Sequence, residues 1–414
     1  MIRSTNALRV AALAGAVALV LTACSSSDGT GDASPAAAPL IVGTLLPQTG
    51  SLAFLGPPEI AGVGLAVKEI NAAGGVLGAD VKLENADSSD ADNAEIATQS
   101  VTDLKSKKVQ VIIGAASSAV TRNVVEDITN AKIVQISPAN TATDLSGKSP
   151  FYFRTAPSDI LQGAALGKLI TGDGHANIGV LVFNDDYGTS LRDVLKTTVE
   201  AAGATISYGN QGQEFDPKAT SFADPVTAVL ATNPDAIAII AFAQTKQIIP
   251  ELVAKGYDMK NVYFVDGNLS DYSKDFQPGT LEGVQGTLPG AFPDDAFQKK
   301  LLAVDPALKD YSYAAESYDA TTLAALAAVK GGATDGVTIQ KNLAAVSGAD
   351  GGTECTGFKE CADLLAAGKD IDYNAVSGAG SFNAQNDPST ALIGVYQYGA
   401  DNKYTFIKSE AGSL

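Results

Sequence analysis

From residue 40 onward, short β-branched apolar runs alternate with longer stretches whose apolar positions recur at helical spacing. Residues 40–45 read as a strand. Residues 59–73 read as a helix with Ile60, Val63, Val67 and Ile70 on one face, stopped by Gly74 and Gly75. A strand at 81–83 and a helix at 93–105 follow, then apolar runs at 109–114 and 133–137 separated by about one helix of residues. Both runs stop abruptly at Gly or small hydroxyl residues, as buried parallel strands do where they deliver their C-terminal ends to a site. Ser117 and Ser118 fall just before a helix that begins near Ala119, where unpaired backbone amides and the helix dipole favour an anion such as a carboxylate. Ser118 alone also reads as a simple N-cap. The two strand ends together predict one crevice.

The segment 151–155 interrupts the rhythm, and a second series begins. It has helices at 159–170, 188–202, 222–232 and 247–255 and strands at 178–183, near 205, at 236–241 and at 262–265. Two α/β series predict two lobes of parallel sheet covered by helices. The helices expected at 296–303 and 313–329 have no new strand series to cover and are expected to return to the first lobe, and 391–407 reads as a terminal hairpin. The expected division is lobe 1 over 40–156 plus 289–378 and lobe 2 over 157–288 plus 379–414, joined by a multi-strand hinge.

The first 39 residues differ in kind. Arg3 and Arg9 precede an apolar run at 10–21 and then Leu21, Thr22, Ala23 and Cys24, the pattern of an export signal peptide over 1–23. The LTAC tetrapeptide resembles the bacterial lipobox, which implies cleavage before Cys24 and a diacylglyceryl thioether on its sulfur. Residues 24–39 hold almost nothing to bury and read as a flexible tether. The expected address is the outer face of the cell membrane, with the lipid as the only membrane contact.

Charge and cysteine usage narrow the partners. Removing Arg3 and Arg9 takes the formal net charge from −18 to about −20, which disfavours nucleic acid or an anionic membrane surface. Beyond Cys24 only Cys355 and Cys361 remain. In an exported chain they read as one short-loop disulfide, with a metal pair as the alternative. The single histidine, His175, lies in a Gly-rich turn, is expected to face solvent, and leaves little from which to build a Ser-His-Asp triad or a His-rich metal site. Near-matches to a phosphate-binding loop fail at Ala142, and no nucleophile elbow is present. Neither a cofactor nor a metal is expected.

Taken in order, the segments 41–51 (IVGTLLPQTGS), 69–75 (EINAAGG), 111–118 (VIIGAASS), 136–141 (ISPANT), 186–188 (DYG) and 265–267 (VDG) resemble the leucine/isoleucine/valine-binding family of periplasmic receptors, the type I substrate-binding proteins of ATP-driven importers. The resemblance covers nearly the whole chain after the tether. It implies that Ser118, the backbone of Ala139 and Thr141, with Asn140 between them, hold a ligand's α-carboxylate and part of its ammonium. It further implies that Tyr187 closes over the ligand and that Asp266 meets the ammonium; Asp266 also reads as part of a plain turn. Phe54 and Leu55 would form an apolar wall. Departures are Phe242 where a family member has Tyr, Asp266 where it has Glu, Ser89 and Ser117 where it has a disulfide, and the added Cys355 and Cys361.

The resulting expectation is a non-enzymatic, monomeric lipoprotein receptor that binds a branched-chain or other aliphatic amino acid between two lobes and delivers it to an ABC permease and its ATPase. The rival readings are a ligand sensor for a signalling partner, a receptor for a short amide or carboxylate, and a small-amide hydrolase using Asp266 and Ser118.

Overall fold

The computed structural model describes residues 38–414, so the signal peptide, Cys24 and all but the last two residues of the tether lie outside the described residues. The first half carries strands β1 (Ile41–Leu46), β2 (Lys82–Asp87), β3 (Val111–Gly114), β4 (Val134–Ser137) and β5 (Tyr152–Arg154), with helices α1 (Gly56–Ala72), α2 (Ala94–Ser106) and α3 (Ser118–Asn130) between them. Their order in the sheet is β2-β1-β3-β4-β5, parallel throughout. β5 corrects an expectation: the FYFRT segment does not break the series but supplies the fifth strand, with Tyr152 and Phe153 fully buried. Its brevity hid it, because three residues are too few to show a period.

The chain then builds α4 (Asp159–Gly172), β6 (Asn177–Val182), α5 (Asp186–Ala201), β7 (Thr205–Tyr208), α6 (Ala223–Leu230), β8 (Ala236–Ile240), α7 (Thr245–Ala254), β9 (Val262–Phe264) and β10 (Gln285–Pro289). It returns with α8 (Asp295–Leu302), α9 (Ala314–Gly331), α10 (Gly336–Val346), β11 (Thr353–Cys355), α11 (Gly357–Ala366) and β12 (Ile371–Tyr373), and ends in β13 (Thr390–Tyr398) and β14 (Tyr404–Ser413). The second sheet runs β14-β13-β10-β9-β8-β6-β7, with its parallel part extended by the antiparallel terminal hairpin. β8 is AIAII, buried at every position, as a strand covered on both faces must be.

Each sheet has its own core. One packs β6, β8 and β9 with Leu191, Leu195 and Phe222. Another packs β1, β3 and β4 against α1 and the Ala-rich α9, so the helices after β10 do cover the first sheet. Cys355 and Cys361 form a disulfide that pins the middle of α11 to the end of β11. His175 corrects a second expectation. It is half-buried with its ring edge-on to Tyr263, and Nδ1 stands 3.9 Å from Asp235.

One buried ion pair ties the crossing segment ahead of β13 to the first sheet. Arg154, wholly buried at the end of β5, donates from Nε to Asp387 Oδ1 at 2.6 Å and from Nη2 to Oδ2 at 2.8 Å. Its Nη1 donates to the carbonyl of Ala142 at 2.9 Å. A guanidinium taken out of water persists only when such a set of acceptors surrounds it. Arg154 therefore fixes the 139–142 loop from below.

Candidate functional site

The ends of β3 and β4 do open together. Gly114 has φ +129, and a Cβ there would lie 2.1 Å from the Leu45 carbonyl, so only glycine lets β3 turn this sharply into residues 115–118. Ser117 is the N-cap of α3, its hydroxyl accepting from the Val120 amide at 3.4 Å. Ser118 is the first helical residue, and its hydroxyl accepts from the Ala142 amide at 3.3 Å, tying the two loops together. Ser137 Oγ bridges further, donating to the Ala115 carbonyl at 2.7 Å and accepting from the Asn140 amide at 2.9 Å.

A small cavity lies between these loops and the second sheet. Ser117, Ser118 and Ala139 form its floor, and Leu52 and Leu55 form an apolar side. Tyr187, Phe242 and Asp266 face them from the second sheet. The rings of Tyr187 and Phe242 stack with centroids 5.5 Å apart. The halves also touch at the rim. The Thr143 amide donates to Ser190 Oγ at 3.0 Å, and Arg122 pairs with both Asp144 and Asp186. The cleft is therefore shut.

Asp266 is the electrostatic centre. It sits in a 3-10 turn after β9 with 4 % of its surface exposed. Oδ1 accepts from the Tyr187 hydroxyl at 2.6 Å and from Gln162 Nε2 at 2.8 Å, and Oδ2 accepts from the Tyr313 hydroxyl at 2.6 Å. Burial raises its pKa, and these three donors oppose the rise. Burial and the Asp266 charge push both tyrosines well up, so they remain protonated donors. No cation of the protein pairs with Asp266 among the described residues. Its carboxyl group lines the cavity.

Two residues here escaped sequence reasoning. Tyr313 lines the cavity from the turn before α9, and Asp159 begins α4 just outside the lining. Asp159 is fully buried and neither carboxylate oxygen has a hydrogen-bond partner. Burial pushes its pKa up to about 7, aided by the charge of Asp266, while the nearby hydroxyls of Ser190 and Thr141 and the Arg154 charge oppose this. Thr141 Oγ1 is likewise buried without a partner, and the Thr141 carbonyl accepts the Asp159 amide at 2.6 Å. The first-turn position of Asp159, after an N-capping Ser158, was legible as a helix start but not as a buried acid.

The remaining expected residues divide. Leu55 and Phe242 line the cavity, whereas Phe54 packs half-buried against the second core and Leu52 takes its place. Asn140 turns away: its amide donates to the Ala116 carbonyl at 2.7 Å, and its oxygen accepts from Tyr152 Oη at 3.0 Å. No group of three His, Cys, Asp or Glu residues among those described is arranged to hold a metal ion.

Comparison with known proteins agrees with this architecture. Residues 39–386 match the model of a family described as "Periplasmic binding protein". A chemotactic signal transduction system substrate-binding protein, BasB of Halobacterium salinarum, is 28% identical over 86% of this chain and 86% of its own length. The branched-chain amino acid transporter substrate binding protein LivJ of Streptococcus pneumoniae, solved with isoleucine, superposes with a TM-score of 0.74 at 21% identity, covering 91% of this chain and 100% of that one. A solute binding protein of an ABC transporter from R. palustris, solved with 4-hydroxybenzoate, gives 0.72 at 17% identity, covering 91% and 98%. At such identities these two structures speak for the fold. The chain therefore belongs to the periplasmic binding protein family.

Proposed function

We propose that this protein is an exported, lipid-anchored receptor that binds a small aliphatic α-amino acid in the closed cleft and presents it to an ABC permease. The observation that carries this reading is Asp266: a buried carboxyl group held by three donors, with no cation of the described residues beside it, facing a pocket whose opposite floor offers amides and hydroxyls at the start of α3. An ammonium supplies the missing charge and a carboxylate suits the helix start. Asp159 and Thr141 are buried but do not line the cavity, and in this reading they add a second acid and a hydroxyl behind the wall that meets the ammonium. Leu52, Leu55 and Phe242 suit a short apolar side chain. In this reading the two halves are the lobes over 40–156 plus 289–378 and 157–288 plus 379–414, hinged on the segments that cross between the sheets, and ligand stabilises closure.

Binding without turnover fits the Ser118 hydroxyl, which is engaged with the Ala142 amide and has no base beside it. A ligand sensor for a signalling partner is the second reading. The likeness to BasB, along most of both chains, favours it.

A thermal-shift screen of aliphatic amino acids, small amides and benzoates tests the ligand class. A true ligand at 100 times its Kd adds about 2.7 kcal/mol. Stabilisation by an aliphatic amino acid supports the reading, and stabilisation by amine-free carboxylates alone contradicts it.

A further inference from the structure

A second chamber, of about 200 Å³, lies behind the cleft where the segments after β10 and before α9 meet the terminal hairpin. It shares only Tyr313 with the cleft cavity. Its wall is aromatic: Phe292, Tyr311, Tyr313, Tyr396 and Tyr404 all face it, with Tyr396 and Tyr404 edge-on at 5.4 Å. Two buried polar groups sit in that wall without partners, Oε1 of Glu316 and Oγ of Ser312, their residues 3 % and 4 % exposed.

The backbone makes room for the acid. Gly290 follows β10 with φ +93, and a Cβ there would lie 1.8 Å from Glu316 Oε1. No protein cation reaches Glu316 among the described residues. Beneath it lie Glu59 of α1, whose two carboxylate oxygens are buried and unpartnered, and Asp319 one turn along α9. Burial, with the charge of Asp319, pushes the Glu316 carboxyl well above the usual carboxylate range, so a cation seated against it is what would draw out the ionised form. At its exposed edge stand Lys309 and Lys403; Asp271, also in the lining, pairs with Lys403 at 3.6 Å, and Lys309 has no ion-pair partner among the described residues.

We propose that this chamber is a second binding site, for a small zwitterion that places a methylated ammonium against Glu316 and the tyrosine rings and a carboxylate at Lys309 and Lys403. Aromatic faces attract a weakly hydrated methylated cation without needing hydrogen bonds from it. The lysines at the mouth disfavour a bare cation and favour a trailing anion. The acid deep in the wall and the bases at the mouth thus set both the class and the direction of the ligand.

Calorimetry with glycine betaine as probe tests this. Saturable binding is expected in the wild type and unchanged in Asp266→Asn, with at least a tenfold loss in Glu316→Gln. Choline, which has the same cation but no carboxylate, is expected to bind several-fold more weakly. Where Glu316→Gln unfolds the chain, Lys309→Glu, on the exposed rim, supplies the second arm and is expected to weaken betaine several-fold. Absence of binding, loss of binding in Asp266→Asn, or indifference to both Glu316→Gln and Lys309→Glu overturns the proposal. Choline binding as tightly as betaine overturns the zwitterion class.

Discussion

The hydroxyl of Tyr313 donates to Asp266 Oδ2 at 2.6 Å, joining the turn ahead of α9 to the turn after β9 at the centre of the cleft. α9 packs on the first sheet and β9 belongs to the second, so this bond holds the ligand's proposed counter-charge from both sides at once. Removing the hydroxyl should therefore weaken ligand binding without unfolding the protein. Tyr313→Phe leaves one oxygen of a buried acid short of a donor, a loss of about 1.5–3 kcal/mol for a bond to a charged group, or roughly ten- to a hundredfold in Kd by calorimetry. Tyr187→Phe should do the same, since it removes the matching bond to Oδ1.

Asp159 makes binding depend on pH. Its carboxyl holds a proton to about 7 in the fold. An unfolded Asp releases its proton near 3.9, so for the empty protein this group contributes stability that is full below that pH and lost as pH rises through about 7. A bound ammonium favours the ionised form, so binding expels the proton. Amino-acid affinity should accordingly increase from pH 5.5 to pH 8, by up to about tenfold per unit below the pKa. Titrating Kd against pH should show this slope, and Asp159→Asn should flatten it.

The Arg154–Asp387 pair should be a stability element first. Replacing Asp387 with Asn leaves a wholly buried guanidinium short of its counter-charge, which costs about 3–5 kcal/mol in denaturant unfolding. The carbonyl of Ala142 loses its fixed donor only if the arginine moves, so the surviving folded fraction should still bind ligand.

Opening the Cys355–Cys361 disulfide should be milder. It closes a loop of sequence separation 6. The chain-entropy model assigns such a loop about 2 kcal/mol. Because α11 covers the outer face of the first half, Cys355→Ser with Cys361→Ser should lower Tm without changing Kd.

What could be read in the chain follows from where the information lies. The β/α alternation over 40–137 and 178–265 marks strands through local period and composition, and the crevice followed from two strand ends. β10 was not visible, because QGTLP has neither alternation nor a β-branched run and forms only through pairing with β9 and β13. Tyr313 and Asp159 stayed hidden for a similar reason. Their neighbours are 47 positions away in one case and, for Asp159, come from α5 and the 139–142 loop. Phe54 and Asn140 show the converse. Each sits in the right loop, but the loop's own packing lays Phe54 half-buried against the core of the second sheet and turns Asn140 toward Ala116 and Tyr152.

The most direct test pairs an α-amino acid with its deaminated analogue, leucine with 4-methylpentanoate, by calorimetry on the wild type and on Asp266→Asn. If Asp266 receives an ammonium, leucine binds the wild type far more tightly than 4-methylpentanoate. Asp266→Asn then loses about 2–5 kcal/mol of leucine affinity, as truncation of a buried charged pair does, while the amine-free analogue is little affected. Equal binding of the two ligands, or leucine binding that survives Asp266→Asn, would contradict the account.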